Sequence, residues 1–300
     1  MILVAGGTGF IGSAVVRRLV RDAKPVTVMS AHPGRRTSGD GAGLVEGDVL
    51  RPETLDGAMA GADAVVQALT FPTFPVEKPA KRYTFEEFEH QGTERLVRAA
   101  ARAGVRRYVY VSGVGAAPDA EKVWHRAKWA GEREVLGSAM SACVIRPSWV
   151  YGAGDRALNR FVSFARRAPA VPVIGDGSQR VQPVFVEDLA EVVARAAALD
   201  GPEGVFEAGG PEVLTMDQVL AEALRALGRR KPLVHVPAAL PKAAGAVIRF
   251  LPKPPLSRDA VDFATGDAVA DTSTLLQAFP GLRLRTLAEG LATYLTPRRR

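Results

Sequence analysis

The tightest constraint in this chain lies in its first twelve residues. Ile2-Leu3-Val4-Ala5 is an apolar run too short for a helix, and Gly6, Gly9 and Gly12 follow at intervals of three as the amphipathic pattern Phe10 to Arg21 begins. A strand that enters a helix through such a turn gives each glycine a task. One permits the tight turn, one lets the backbone approach an anion, and one lets the helix pack closely on the sheet. The helix start adds N–H groups that have no partner inside the helix. Together these features predict a pyrophosphate site for a nicotinamide dinucleotide, formed by Gly6, Gly7, Thr8, Gly9, Phe10, Ile11 and Gly12.

The same alternation continues down the chain. Further strands are expected at Val26 to Met29, Leu44 to Glu46, Ala64 to Ala68, Tyr108 to Val111 and Ala142 to Arg146, with a last one near Gln182 to Val184. Between them fall helical patterns at Pro52 to Met59, Phe85 to Ala103, Val123 to Ser138 and Val186 to Leu199. Several strands are almost continuously apolar, as strands covered by helices on both faces must be. The fold class expected is α/β, a doubly wound parallel sheet with a smaller C-terminal substrate lobe. Residues 1–150, with a return segment at about 181–208, form the nucleotide-binding domain in this reading. Residues 151–300, richer in Gly and Pro, form the lobe, which includes a helical stretch from Thr215 to Leu227. The apolar stretch Ala238 to Leu251 reads either as a core helix or as a surface-seeking amphipathic one.

Composition excludes several classes. No apolar run reaches the roughly 18 to 20 residues that cross a bilayer, and no basic leader precedes Ile2, so a cytoplasmic location is expected, with peripheral membrane contact left open. The single Cys143 permits neither an intrachain disulfide nor a cysteine metal cluster. Thirty-nine basic residues against 32 acidic ones give a net charge of +7. Arg17, Arg18, Arg21, Arg95, Arg98 and Arg102 are spread along helices as solvated faces, and no basic block appears before Arg298 to Arg300, so no nucleic-acid partner is expected. Neither a Ser/His/Asp grouping nor His/carboxylate metal spacing is present, which sets hydrolysis and metal catalysis aside.

A dinucleotide fold reads the adenosine ribose at the end of the second strand, where a carboxylate favours a free 2′-hydroxyl and an arginine favours a 2′-phosphate. Ser30, His32, Arg35 and Arg36 stand there, with no acid before Asp40, which favours NADP while leaving NAD open. Arg35 and Arg36 have ordinary loop surface as their alternative reading. Asp48, in Gly47-Asp48-Val49, suits either a hydrogen bond to the adenine amino group or a turn cap.

In this order the motifs resemble the short-chain dehydrogenase/reductase superfamily, in its extended and atypical branch of NAD(P)-dependent epimerase/dehydratase-like proteins. The resemblance rests on GGTGFIG at Gly6 to Gly12, GDV at Gly47 to Val49, and GTERLVRAAARAGVRRYVYVSGVGA at Gly92 to Ala116. RPSWVYG at Arg146 to Gly152 and QPVFVEDLAEVV at Gln182 to Val193 extend it. Within the branch, HRAKWAGE, Gly209-Gly210-Pro211-Glu212 and LGRRKPLVHVP are similar to relatives of the NAD(P)H-binding accessory subunit of respiratory complex I. The resemblance implies that Arg35 and Arg36 meet the 2′-phosphate, that Asp48 and Val49 meet the adenine, and that Ala68, Leu69 and Thr70 line the adenosine side. Val111, Ser112, Gly113, Lys128, Pro147 and Ser148 would line the nicotinamide half.

Active members of the superfamily place a Tyr four residues before a Lys, on one helix face, so that the ammonium lies beside the phenol. Lys128 fits the second position, but Trp124 stands at the first, and indole is neither an acid nor a base near neutral pH. The hydroxyl position is also altered, with Ser112 about two residues early and Val114 where the hydroxyl is expected. Lys128 remains the catalytic candidate as a ribose ligand, with an exposed helix lysine as its bland alternative. His125 and Tyr151 are substitute proton donors, each also readable as a solvated or packing side chain. Three functions follow: an NADP-preferring oxidoreductase acting on a small carbonyl or quinone, a non-catalytic NADP(H)-binding sensor or accessory protein, and a sugar-nucleotide epimerase or dehydratase.

Overall fold

The computed structural model describes residues 1–33, 41–236 and 266–295. It divides the chain into two units. The first comprises Met1–Ser148, Val186–Gly209 and Ala270–Arg283, and the second comprises Trp149–Phe185, Gly210–Val269 and Leu284–Arg300.

The first unit is built on seven strands: β1 (Ile2–Ala5), β2 (Val26–Ser30), β3 (Gly43–Glu46), β4 (Ala64–Gln67), β5 (Arg107–Val111), β6 (Ser141–Pro147) and β7 (Gly204–Ala208). Every pairing is parallel, in the order β3-β2-β1-β4-β5-β6-β7. Helices α1 (Phe10–Arg21), α2 (Leu55–Met59), α3 (Gln91–Arg102), α4 (Val123–Leu136), α5 (Val186–Ala196) and α6 (Ser273–Ala278) belong to the same unit. The doubly wound α/β expectation therefore holds. Strand order reverses between β1 and β4, and open α/β sheets bind ligands in the crevice at such a switch point. Register Ala5↔Gln67 sets Gly6 beside Ala68 there.

β4 and β5 are buried at every residue. Their polar side chains are consequently paired inside the unit, as burial demands. Tyr108 donates its hydroxyl to Gln67 Oε1 at 2.6 Å, Gln67 Nε2 donates to Thr93 Oγ1 at 2.8 Å, and Thr93 donates to the Glu89 carbonyl at 2.7 Å. Glu89 stands in a wide π-helical segment, Glu86–His90, which precedes α3 where the sequence pattern predicts one continuous helix. That segment buries Phe88 and Glu89.

Two expectations about the sheet need correction. The last strand is not Gln182 to Val184. That stretch forms two two-residue strands, Arg180–Val181 and Val184–Phe185, in the second unit. Pro183, between them, has no N–H to donate to a ladder. The seventh strand is β7, whose mixed exposure and edge position hide it from a search for apolar runs. The second unit also holds helices Ala157–Arg167, Met216–Ala226 and Leu287–Ala292, the first and third of them not anticipated. Thr215 and Thr286 cap the other two with reciprocal capping boxes. The stretch Ala238 to Leu251 lies outside the described residues. Among those described, no helix is long and apolar enough to cross a membrane.

Arg107 locks the lower end of the sheet. It is fully buried and donates to the Ala196 carbonyl at the end of α5 at 2.8 Å, to Ser141 Oγ at 2.6 Å and to the Pro202 carbonyl at 2.5 Å. Arg107→Met would leave these acceptors buried without donors. We expect a loss of about 2–4 kcal/mol in urea unfolding; a change within about 0.5 kcal/mol would show that the clamp carries no stability.

Candidate functional site

At the end of β1 the chain has no room for side chains. Gly6 has φ +84°, and a Cβ there would lie 2.5 Å from the Ala68 carbonyl oxygen and 2.9 Å from Leu69 Cα. A Cβ on Gly12, inside α1, would stand 2.2 Å from the Gly6 carbonyl oxygen. Gly7 faces Val28 at 2.9 Å by the same measure. Gly9 donates to the Gly6 carbonyl at 2.8 Å and caps α1 with extended backbone, with no side-chain cap and no acid in the first turn. The first bond within the helix is Ser13 N–H to Gly9, so the amides of Phe10, Ile11 and Gly12 precede the helical ladder. A cradle of glycine backbone facing an uncapped, uncharged helix start fits an anion such as a pyrophosphate.

On the adenosine side, Ser30 Oγ accepts from the His32 amide at 3.2 Å. Asp48 is engaged in its own turn: its carboxylate accepts from Leu50 N–H at 2.9 Å and from Arg51 Nε at 3.4 Å, and its amide donates to Thr54 Oγ1 at 2.9 Å. Val49 is buried, and its carbonyl accepts from Arg95 at 3.0 Å. Arg35 and Arg36 lie outside the described residues. The structure adds an acid that a linear reading misses, because register Ser30↔Glu46 sets Glu46 beside the end of β2. Arg51 pairs with that Glu46 at 2.8 Å and reaches the Ala31 carbonyl at 3.5 Å.

At the other end of the crevice, the expected acid/base groups are turned to other work. Lys128 is not an exposed helix lysine. Its side chain is 7% exposed, its ammonium lies 2.7 Å from Glu89 Oε2, donates to the Val111 carbonyl at 2.9 Å and sits 4.9 Å from the centre of the Tyr110 ring. Glu89 is fully buried. Ser112 is also inside, donating to Glu132 Oε1 at 2.5 Å, while Arg146 grips the same carboxylate with bonds of 2.8 and 2.6 Å. That carboxylate holds the Arg146 guanidinium above its ordinary pKa. Pro147 and Ser148 follow on β6, with the Pro147 carbonyl accepting from Val114 and the Ser148 amide donating to Ala208, both at 3.0 Å.

Trp124 lies against Gly113, where a Cβ would meet the indole Cη2 at 2.6 Å, and it packs with Phe74 at 6.2 Å and with His125 at 4.7 Å between ring centres. His125 is half-buried and is not a neutral-pH acid. Burial, helped by Lys122, lowers its pKa to about 4. Tyr151 is a packing aromatic within the second unit: fully buried, 5.5 Å from the Phe185 ring, with its hydroxyl donating to the Thr286 carbonyl at 3.1 Å. Of its two readings, donor or packing aromatic, Tyr151 takes the second. Among the described residues no group of three or more His, Cys, Asp or Glu is placed to hold a metal.

Comparison with known proteins agrees with this geometry. The family model described as "NAD dependent epimerase/dehydratase family" matches residues 2–209. The chain is 30% identical over 292 residues to "NADH dehydrogenase [ubiquinone] 1 alpha subcomplex subunit 9, mitochondrial" of Arabidopsis thaliana, covering 91% of this chain and 71% of that protein. It is also 30% identical over 253 residues to "NAD(P)H azoreductase" of Xenophilus azovorans, covering 82% and 80%. The solved structure "MoeE5 in complex with UDP-glucose and NAD" superposes with a TM-score of 0.75 over 98% of this chain and 97% of that one; at 23% identity it speaks to the fold alone.

Two measurements check the site. Gly113→Ala must displace the indole and is expected to cost about 1–3 kcal/mol, a loss that Trp124→Leu should relieve in the double variant; equal losses with and without Trp124 would remove the contact from the account. The His125 imidazole should titrate near pH 4 by NMR. With its folded pKa below the ordinary histidine value of 6.5, it favours the fold above about pH 6.5, and that contribution fades as pH falls towards 4. A midpoint near 6.5 would place the ring in solvent.

Proposed function

The chain belongs to the NAD dependent epimerase/dehydratase family, and from that premise we propose that it holds NADP(H) at the Gly6 to Gly12 turn without passing protons through its own side chains. The observation that carries this reading is the commitment of Lys128 to Glu89 and Val111, with Trp124 in the place where a phenol would stand. The dinucleotide, when bound, supplies a hydride at its nicotinamide ring. What the chain adds is a pyrophosphate cradle, an apolar wall at Trp124 and a lysine fixed from behind by a buried carboxylate. The Lys128 ammonium is paired with the Glu89 carboxylate at 2.7 Å and donates one N–H to the Val111 carbonyl. Ser112, His125 and Tyr151 are each held elsewhere or hold no proton to give near pH 7. A sugar-nucleotide epimerase or dehydratase is disfavoured on the same grounds.

A second reading is an oxidoreductase whose acceptor takes its protons from solvent, as a quinone can. The resemblance to an NAD(P)H azoreductase favours it. Preference for NADP rests on the basic loop Arg35-Arg36 and on Arg51, which offsets the Glu46 carboxylate that would otherwise favour a free 2′-hydroxyl.

Fluorescence titration separates the two cofactors. Arg51→Ala is expected to weaken NADPH relative to NADH by about ten-fold, since it removes a cation and exposes Glu46; an unchanged ratio would take Arg51 out of the selection. Trp124→Tyr alone should leave carbonyl turnover at background, because Lys128 stays on Glu89. Turnover appearing with that single change, followed at the NADPH absorbance band, would show that the lysine is free to serve a phenol and that the non-catalytic reading is wrong.

A further inference from the structure

Two carboxylates lie inside the first unit beside α4, and they are held differently. Glu132 accepts a hydrogen bond from Ser112 and two from Arg146, which spreads its charge over three donors. Glu89, on the π-helical segment before α3, is 0% exposed and faces the Lys128 side chain, itself 7% exposed. The ammonium lies 2.7 Å from Glu89 Oε2, yet neither oxygen of that carboxylate accepts a hydrogen bond from the described residues. Buried polar groups are ordinarily hydrogen-bonded. What Glu89 supplies here is therefore charge more than bonding.

The pair also stands at a definite point of the sheet. Lys128 donates to the carbonyl of Val111, the last residue of β5, at 2.9 Å. β5 lies next to β4, across the switch point from β2 and β3. A sheet of this order takes a dinucleotide across the crevice at the carboxyl ends of its strands, one mononucleotide to each side of the switch. With the adenosine at β2 and β3, the nicotinamide mononucleotide falls to the side of β4 and β5, which is the side of Lys128 and Glu89.

The two oxidation states of the nicotinamide ring differ in charge. The oxidised ring carries one positive charge, and gain of a hydride leaves it neutral. A buried ammonium without a counter-charge repels the first and is indifferent to the second, and such repulsion is strong where water is excluded. A carboxylate behind the ammonium cancels it. We propose, on the NADP(H) reading above, that Glu89 sets the relative affinity of this chain for the oxidised and the reduced dinucleotide by neutralising Lys128. It acts on specificity between two forms of one cofactor. A role confined to folding, or to orienting the lysine, changes the affinity for both forms together.

Calorimetric titration of the full chain with NADP⁺ and with NADPH at pH 7 gives two dissociation constants and their ratio. Glu89→Gln keeps the shape of the side chain and removes its charge, and it is expected to weaken NADP⁺ relative to NADPH about ten-fold. The double variant Glu89→Gln/Lys128→Met removes both charges. Its ratio should return to within about two-fold of that of the unsubstituted chain, whatever becomes of the two affinities. If Glu89→Gln does not fold, Lys128→Met, which leaves the carboxylate without its cation, should move the ratio the opposite way. A ratio that a folded single variant changes by less than about two-fold, or that stays shifted in the double variant, would overturn the proposal while dinucleotide binding stands. Binding of neither form by the unsubstituted chain would instead overturn the NADP(H) reading, and the proposal with it.

Discussion

Among the described glycines of the first unit, Gly12 has the least room for a side chain, where α1 meets the turn that precedes it. With only 2.2 Å between the place of a Gly12 Cβ and the Gly6 carbonyl oxygen, the helix rests on its own entry turn, and the turn rests on Ala68 across the sheet. Two hydrogens in place of two methyl groups therefore decide where the helix start points. That start has no side-chain cap and no acid in its first turn, and it stands where the strand order reverses. The pyrophosphate cradle is thus a packing consequence before it is a functional one.

The opposite end of the crevice follows a different rule. Burying β4 and β5 on both faces forces Gln67, Thr93, Tyr108 and Tyr110 to find partners inside, and their chain of hydrogen bonds ends on the Glu89 carbonyl. The backbone carrying Glu89 is thereby fixed, and its carboxylate meets Lys128 from behind. A buried pair of this kind adds little net stability, but losing one partner leaves the other charge uncompensated. It is better understood as fixing where the ammonium stands. Glu132 does the same for Ser112 through Arg146. In both cases a side chain that superfamily chemistry would turn towards a ligand is held by a neighbouring carboxylate.

Much of this was legible in the sequence. The apolar strand, the glycine spacing and the repeated strand and helix patterns announce the sheet, because short buried strands and amphipathic helices leave period and composition signals. Trp124 four residues before Lys128 announces the missing phenol. What escaped depends on register and distance in space. Glu46 lies sixteen positions after Ser30, yet β2 and β3 set them side by side. Glu89 and Lys128 are separated by α3 and β5, and only the π-helical segment turns the acid inward. Glu132 could have been found, since it stands four residues after Lys128 on the same helix face. β7 was missed because an edge strand with only one of its five residues buried has no apolar run, and the choice between donor and packing aromatic at Tyr151 turns on Thr286, 135 positions away.

The central claim is that the chain binds a dinucleotide while its own side chains move no proton. It is tested most directly by titrating the full chain with NADPH at pH 7 and then offering the saturated protein a series of aldehydes and ketones, with NADPH absorbance followed throughout. The account predicts saturable binding of one NADPH per chain, abolished by Gly12→Ala, and no carbonyl-dependent oxidation above background. Steady carbonyl turnover with a bell-shaped pH dependence would contradict it, because such a profile requires an acid and a base that this site holds in other bonds.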